Sequence, residues 1–345
     1  MATVFSRPRT PAAKCLHLVR VNQIVTRSEL VEATGLSQPT ITRAITALIG
    51  AGLVHERTDL TRSQGRGRPT VPLELTNHPA LHAGIAVGTS TTYIGLFDTR
   101  GRTIRDAEVP TPVAELTESD FIEHVMAGLN RLTAGLERPL ASVGVTTSGR
   151  VTDDGIVDAP NLGWHGVDFA GRLRYQFSVP VVVSAAVPAI LGSEIQSAGL
   201  LTGTMALFAD DSIGAAVADD EGVAQIDLPL HARELTTAGV LGDRWSSISS
   251  AVEDADARPL LDARACRLAQ LTTEVARGHD PATIVVAGSA FIDDPAAPKL
   301  FASEVRSRLP DVQLRLIPTH REVVRAIARA VALDQTLREP LALYA

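Results

Sequence analysis

Residues 26–48 read TRSELVEATGLSQPTITRAITAL, and this stretch decides the architecture of the N-terminal end. Thr26-Arg27-Ser28-Glu29 has the Ser/Thr-x-x-Glu spacing of a capping box, which starts a helix through Leu30, Val31 and Ala33. Thr34-Gly35-Leu36 supplies a C-cap glycine followed by an apolar residue. Ser37 is placed to cap a second helix, with Pro39 in the first turn where proline is tolerated. Ile41, Ala44, Ile45 and Leu48 then fall at i, i+3, i+4 and i+7, a single buried face. Two short helices joined by a turn over 35–37 form a helix-turn-helix, whose second helix enters the major groove of duplex DNA. Opposite the apolar stripe lie Gln38, Pro39, Thr40, Thr42, Arg43 and Thr46, mostly hydrogen-bonding groups suited to base edges and phosphates. Taken alone, the same face also fits an ordinary solvated helix.

The flanks sharpen the reading. A helix over 10–22, with Leu16, Leu18 and Val19 apolar, completes a three-helix core. Downstream, strands around Leu53-Val54 and over 71–75 enclose a loop carrying Arg66-Gly67-Arg68-Pro69. Two strands around a basic loop make a wing, and a slim arginine-bearing segment suits a narrow A·T-rich minor groove. Asn77-His78-Pro79 breaks the pattern, which sets the expected domains at 1–78 and 79–345. Residues 1–80 hold ten Lys/Arg and five Asp/Glu, whereas the whole chain is at −7. A basic head on an acidic body points to a polyanion partner for the head alone.

Composition narrows the remainder. Aromatics are only 4%, so the cores depend on Ala, Val, Leu and Ile. No apolar run reaches the roughly 20 residues of a bilayer span, and no signal-peptide pattern follows Arg7, Arg9 and Lys14, so the expected location is the cytoplasm. Cys15 and Cys266 lie far apart without a Cys/His cluster, so neither a disulfide nor a zinc site is expected. From residue 81 the rhythm is strand–turn–strand, then αβ alternation. Strands are expected over 82–87, 92–97, 103–109, 141–146, 181–183, 205–209, 213–217, 283–287 and 312–317. Helices are expected over 118–136, 188–198 and 321–337. This is an α/β domain in two lobes.

The large domain resembles the ROK family of repressors, open reading frames and sugar kinases. The resemblance rests on the hairpin over 84–101, on Ala159-Pro160-Asn161-Leu162-Gly163-Trp164, on Leu191-Gly192-Ser193-Glu194 and on the strand and glycine turn over 284–289. It implies an actin-like ATPase fold behind a winged helix-turn-helix, the layout of the family's repressor branch. It also implies a homodimer or higher homo-oligomer, a double-stranded operator as partner, and a sugar or sugar derivative as effector. The family's active-site positions depart from the kinase pattern. Where the resemblance implies the aspartate that positions magnesium-bound phosphates, this chain has Ala86, and one glycine of the following pair is Thr89. The general-base position is Ala186 and the neighbouring sugar-binding asparagine position is Ala185. The second phosphate motif contains Asp210 and Asp211, whose charge opposes that of a nucleotide. The family's zinc cysteines are absent from the matching region, which retains only His231. No catalytic residue, cofactor or metal is therefore expected, and the expected function is a DNA-binding repressor. Two alternatives stand beside it: a regulator that senses no ligand, and a sugar kinase with a DNA-binding head.

Overall fold

The computed structural model describes residues 4–61, 70–198 and 203–344. In the head, Thr10 caps helix α1 (Pro11–Asn22) with its hydroxyl on the Ala13 amide. Strand β1 (Ile24–Val25) and helix α2 (Arg27–Thr34) follow, and α2 carries the complete Thr26/Glu29 capping box. Gly35 ends α2 in the left-handed region, at φ 68°, where a side chain would be strained. Ser37 then caps helix α3 (Gln38–Gly50). Strands β2 (Val54–Glu56) and β3 (Leu73–Leu75) pair antiparallel, and β1 joins the far side of β3. The head is thus three helices with a small sheet.

The body begins at β4 (Leu81–Val87), followed by β5 (Thr91–Phe97), β6 (Thr103–Pro110), helix α4 (Glu118–Thr133) and β7 (Leu140–Thr147). A small antiparallel sheet of β8 (Arg150–Val151), β9 (Ile156–Ala159) and β10 (Trp164–Asp168) precedes α5 (Phe169–Phe177) and β11 (Val181–Ala185). The first lobe's sheet runs β11-β7-β4-β5-β6. Helix α6 (Ala186–Ala198) crosses to the second lobe. That lobe contains β12 (Thr204–Ala209), β13 (Ile213–Ala218), β14 (Val223–Ile226), α7 (Thr237–Leu241), α8 (Ile248–Val252), α9 (Arg258–Ala276), β15 (Thr283–Ala287), α10 (Ser289–Ile292), α11 (Ala297–Arg308) and β16 (Gln313–Leu316). Its sheet order is β14-β13-β12-β15-β16. Helix α12 (His320–Arg338) returns under the first sheet, and α13 (Pro340–Tyr344) closes the described chain.

The expected strands are all present, most within one or two residues. Helix α4 stops at Thr133 rather than 136 because Gly135 turns into the left-handed region at φ 70°. Helix α6 begins at Ala186 rather than 188, since Pro188 sits in its first turn, where no amide partner is lost.

Helix α12 ties head to body. Gly144, Gly84 and Gly95 pair with one another across β7, β4 and β5, forming a row without side chains. A Cβ on Gly84 would lie 2.1 Å from the Ala328 carbonyl oxygen, and one on Gly144 would lie 2.4 Å from the Val331 carbonyl carbon. Helix α12 therefore lies directly on the sheet backbone. Further along, Leu333 and Leu337 pack with Leu16, Ile41, Ile45 and Leu48 of the head. The head's core is thus continuous with the body's last helix.

Beneath this joint His82 is fully buried. The Ser142 hydroxyl donates to the Ala332 carbonyl (2.9 Å), so its oxygen accepts from His82 Nδ1 (2.8 Å), and His82 Nε2 accepts from the Tyr344 hydroxyl (3.0 Å). Burial pushes the imidazole down to about 4, with His78 and Arg138 acting in the same direction and Asp98 against them. The unfolded chain therefore takes up this proton first as pH falls. The neutral ring's contribution is complete above about pH 6.5 and is lost progressively toward pH 4. Acidification from pH 7 to pH 5 is expected to cost about 2 kcal/mol through this site alone. Urea unfolding at the two pH values, with His82→Gln alongside, measures it; an equal pH-dependence in the variant would assign the loss elsewhere.

Candidate nucleic-acid interface and the interlobe cleft

In α3, Ile41, Ala44, Ile45 and Leu48 are buried in the head core. Gln38, Pro39, Thr42, Arg43 and Thr46 are exposed, and Thr40 is half-buried. Two hydroxyls are already engaged: Thr42 Oγ1 donates to the Gln38 carbonyl (2.9 Å), and Thr40 Oγ1 shares a hydrogen with Ser37 Oγ (2.9 Å). Among the described residues Arg43 makes no ion pair, so its guanidinium faces solvent with all its donors available. Arg66, Gly67 and Arg68, expected on the wing, lie outside the described residues. The wing's base is held by Arg57, which bridges Asp59 (2.6 Å) and Glu74, and by Arg27 on Glu56 (2.6 Å).

The two lobes face each other across a cleft of about 900 Å³. Positions far apart in sequence converge there: Ala86 at the end of β4, Thr89 in the next turn, Ala186 at the start of α6, and Asp210 and Asp211 in the β12–β13 turn. The turn after β4 keeps its glycine because a Cβ on Gly88 would lie 2.7 Å from the Thr91 carbonyl oxygen. Thr89 Oγ1 donates to Asp211 Oδ2 (3.1 Å), which links the lobes directly. Asp210 Oδ1 accepts from Ser289 Oγ (2.7 Å). Burial raises the Asp210 carboxyl above the usual range, Ser289 opposes the shift, and Asp211 adds to it. The buried Arg264, held by the Leu235 carbonyl (2.9 Å), is drawn down to about 10 chiefly by burial, against the pull of Asp210 and Asp211. At the other wall Asp106 is held by Arg325 (2.6 Å) and accepts from the Tyr93 hydroxyl (3.2 Å). Ser148 donates to Asn161 (3.0 Å) beside them. His231 does not line this cleft and faces Glu274 at 3.8 Å. Among the described residues no group of three or more His, Cys, Asp or Glu side chains could hold a metal ion.

Sequence reasoning missed two features of this framework. A segment over 5–9 buries Phe5 against Gly192 of α6, donates the Phe5 amide to Asp334 of α12 (2.8 Å), and hydrogen-bonds Arg7 to the Asp219 carbonyl beyond β13 (2.7 Å). Arg20 of α1 donates to the Gln196 carbonyl of α6 (2.7 Å). The lone Phe5 in a polar leader was the available signal for the first.

Head and body together define a helix-turn-helix protein carrying a two-lobed, actin-like body. Residues 82–215 match the model of the ROK family. It is 36% identical over 190 residues to a transcriptional regulator of Mycobacterium tuberculosis (strain H37Rv), an alignment covering 53% of this chain and 42% of that protein. It is 28% identical over 170 residues to the xylose repressor of Bacillus subtilis (strain 168), covering 47% and 42%. The chain thus spans less than half the length of these relatives. Among solved structures, a ROK family transcriptional regulator described as a homologue of the E. coli MLC protein superposes with TM-score 0.76 over 96% of this chain and 97% of that one, at 16% identity. A ROK family glucokinase from Streptomyces griseus, in complex with glucose and AMPPNP, superposes with TM-score 0.58 over 74% of this chain and 99% of its own, at 18% identity. These two likenesses establish the shared fold.

Proposed function

We propose that the chain is a cytoplasmic, DNA-binding transcriptional repressor whose kinase-like body transfers no phosphoryl group. The observation that carries this reading is the division of α3 into a buried apolar face and an exposed face on which Arg43 makes no ion pair among the described residues. A helix-turn-helix with its second helix accessible is the geometry that reads a major groove. Gln38, Pro39, Thr40, Thr42, Arg43 and Thr46 form the base-reading surface, and Arg66, Gly67 and Arg68 the minor-groove wing. The head spans 1–78 and the body 79–345, and the body dimerises so that two heads meet an inverted repeat. The names of the relatives support the assignment to regulation.

The cleft does not fit a magnesium nucleotide. Phosphoryl transfer needs metal ligands, a phosphate cradle and a group that orients the nucleophile. Ala86 offers no ligand and Ala186 no base, while Asp210 and Asp211 line the same cleft and oppose the charge of a phosphate. Loss of a general base alone costs about 10²–10⁴ in rate. The size of the cleft favours a sensor of an uncharged polar effector, a sugar or sugar derivative, over a regulator that binds no ligand. A coupled kinase assay over a sugar panel, with calorimetry against ATP–magnesium, is expected to show neither turnover nor nucleotide binding. Turnover abolished by Asp210→Asn or Asp211→Asn would show that these carboxylates hold the metal after all. Selection of bound duplexes from a random pool tests the DNA half of the proposal.

A further inference from the structure

A second cavity, of about 380 Å³, lies at the joint between head and body, remote from the interlobe cleft. Its walls come from the N-terminal segment over 5–9, from α1, from the end of α2 and from the turn between β13 and β14. Its charged lining is Arg7, Arg9 and Lys14 against one carboxylate, Asp220. Arg7 is committed to the body through its side chain on the Asp219 carbonyl (2.7 Å) and its amide on the Glu221 carbonyl (3.0 Å). Among the described residues neither Arg9 nor Lys14 makes an ion pair. His17 lies one turn after Lys14 on the same face of α1. Burial, aided by Arg20 and Arg7, holds its imidazole at about 4, so it contributes a neutral ring at physiological pH. Arg9 and Lys14 thus leave the lining with more positive than negative charge, Asp220 being its one carboxylate.

We infer that this cavity binds a phosphate group. A guanidinium fork and an ammonium lining one cavity are the pair that takes up a phosphate dianion, the arginine through two parallel N–H donors and the lysine as a point charge. Bringing a dianion between them removes the mutual repulsion of cations held in a concave site. The volume admits a phosphate with an attached group. The phosphate comes either from a free phosphorylated molecule or from the backbone of a bound duplex. Ala33 and Thr34, on the cavity wall, lie just before the turn into α3, so a duplex seated on α3 passes nearby. The ligand class rests on the charge and shape of the cavity; its consequence for DNA rests on the proposed function.

The test uses the full chain and the double variant Arg9→Gln/Lys14→Gln; Arg9 is exposed and Lys14 half-buried. Inorganic pyrophosphate is titrated calorimetrically at constant ionic strength, and affinity for a selected duplex is measured across a salt series. For a free phosphate, wild type binds pyrophosphate saturably and the variant at least about tenfold more weakly. For a backbone phosphate, pyrophosphate binding is absent, duplex affinity falls about tenfold in the variant, and the slope of log affinity against log salt becomes shallower by about one to two. Identical behaviour of variant and wild type in both arms, or no binding by wild type in either, overturns the inference. If wild type binds pyrophosphate and no duplex, the proposed function fails while the cavity assignment stands.

Discussion

Replacing Gly84 and Gly144 together by alanine is expected to destabilise the protein by about 3–5 kcal/mol. The two glycines are paired neighbours in β4 and β7, and α12 crosses them with its own backbone in contact. The added methyl groups would meet main-chain atoms of Ala328 and Val331 at 2.1 and 2.4 Å, and main chain cannot swing aside as a flexible side-chain tip can. Helix α12 would have to lift from the sheet. Because Leu333 and Leu337 on that helix complete the core of the head, the damage should reach the helix-turn-helix some distance away. Denaturant unfolding gives the magnitude, and proteolysis at the joint shows whether the head loosens. A loss below about 1 kcal/mol would mean that the close approach is not a constraint on the fold.

Replacing Arg43 by alanine is expected to weaken duplex binding by about 1–3 kcal/mol if the guanidinium bridges two acceptors of one guanine. Stability should be unchanged, since Arg43 is exposed and makes no ion pair among the described residues. Fluorescence anisotropy at fixed salt distinguishes the roles open to it. A base-reading arginine loses affinity for the preferred sequence and relaxes discrimination at one position. A phosphate-contacting arginine loses affinity equally on every sequence. Equal affinity of variant and wild type would remove Arg43 from the interface.

The head was legible because its signals are local. The Thr26 capping box, Gly35 and the Ser37 cap each act within four residues, and each element they delimit is present. The engagement of Thr40 and Thr42 hydroxyls within α3 was not visible, because it depends on which rotamer the helix turn favours. The convergence of Ala86, Ala186 and Asp210 in one cleft came from the family resemblance, since periodicity carries no information about which strand ends meet. Helix α9 was missed for a different reason. Its buried face includes Arg264, Thr272 and Thr273, so polar residues interrupt the apolar stripe. In α11 the signal Ala297, Phe301, Val305 was present, but Pro298 in the first turn reads as a breaker. Gly84 and Gly144 were written in the sequence as single glycines within strands, a mark of close backbone approach, while their partners on α12, 180 or more residues away, were not. The break at Asn77-His78-Pro79 likewise says nothing of Leu333, which packs against the head from the far end of the chain.

The exposed face of α3 is expected to read duplex DNA. Its most direct measurement is selection of bound duplexes from a random pool by the full chain at fixed, near-physiological salt, followed by the affinity of the enriched sequence against a scrambled one. The expected result is enrichment of an inverted repeat with half-sites about one helical turn apart, bound at least about a thousandfold more tightly than the scrambled duplex. Recovery of no common sequence, with equal and steeply salt-dependent affinity for both duplexes, would contradict it.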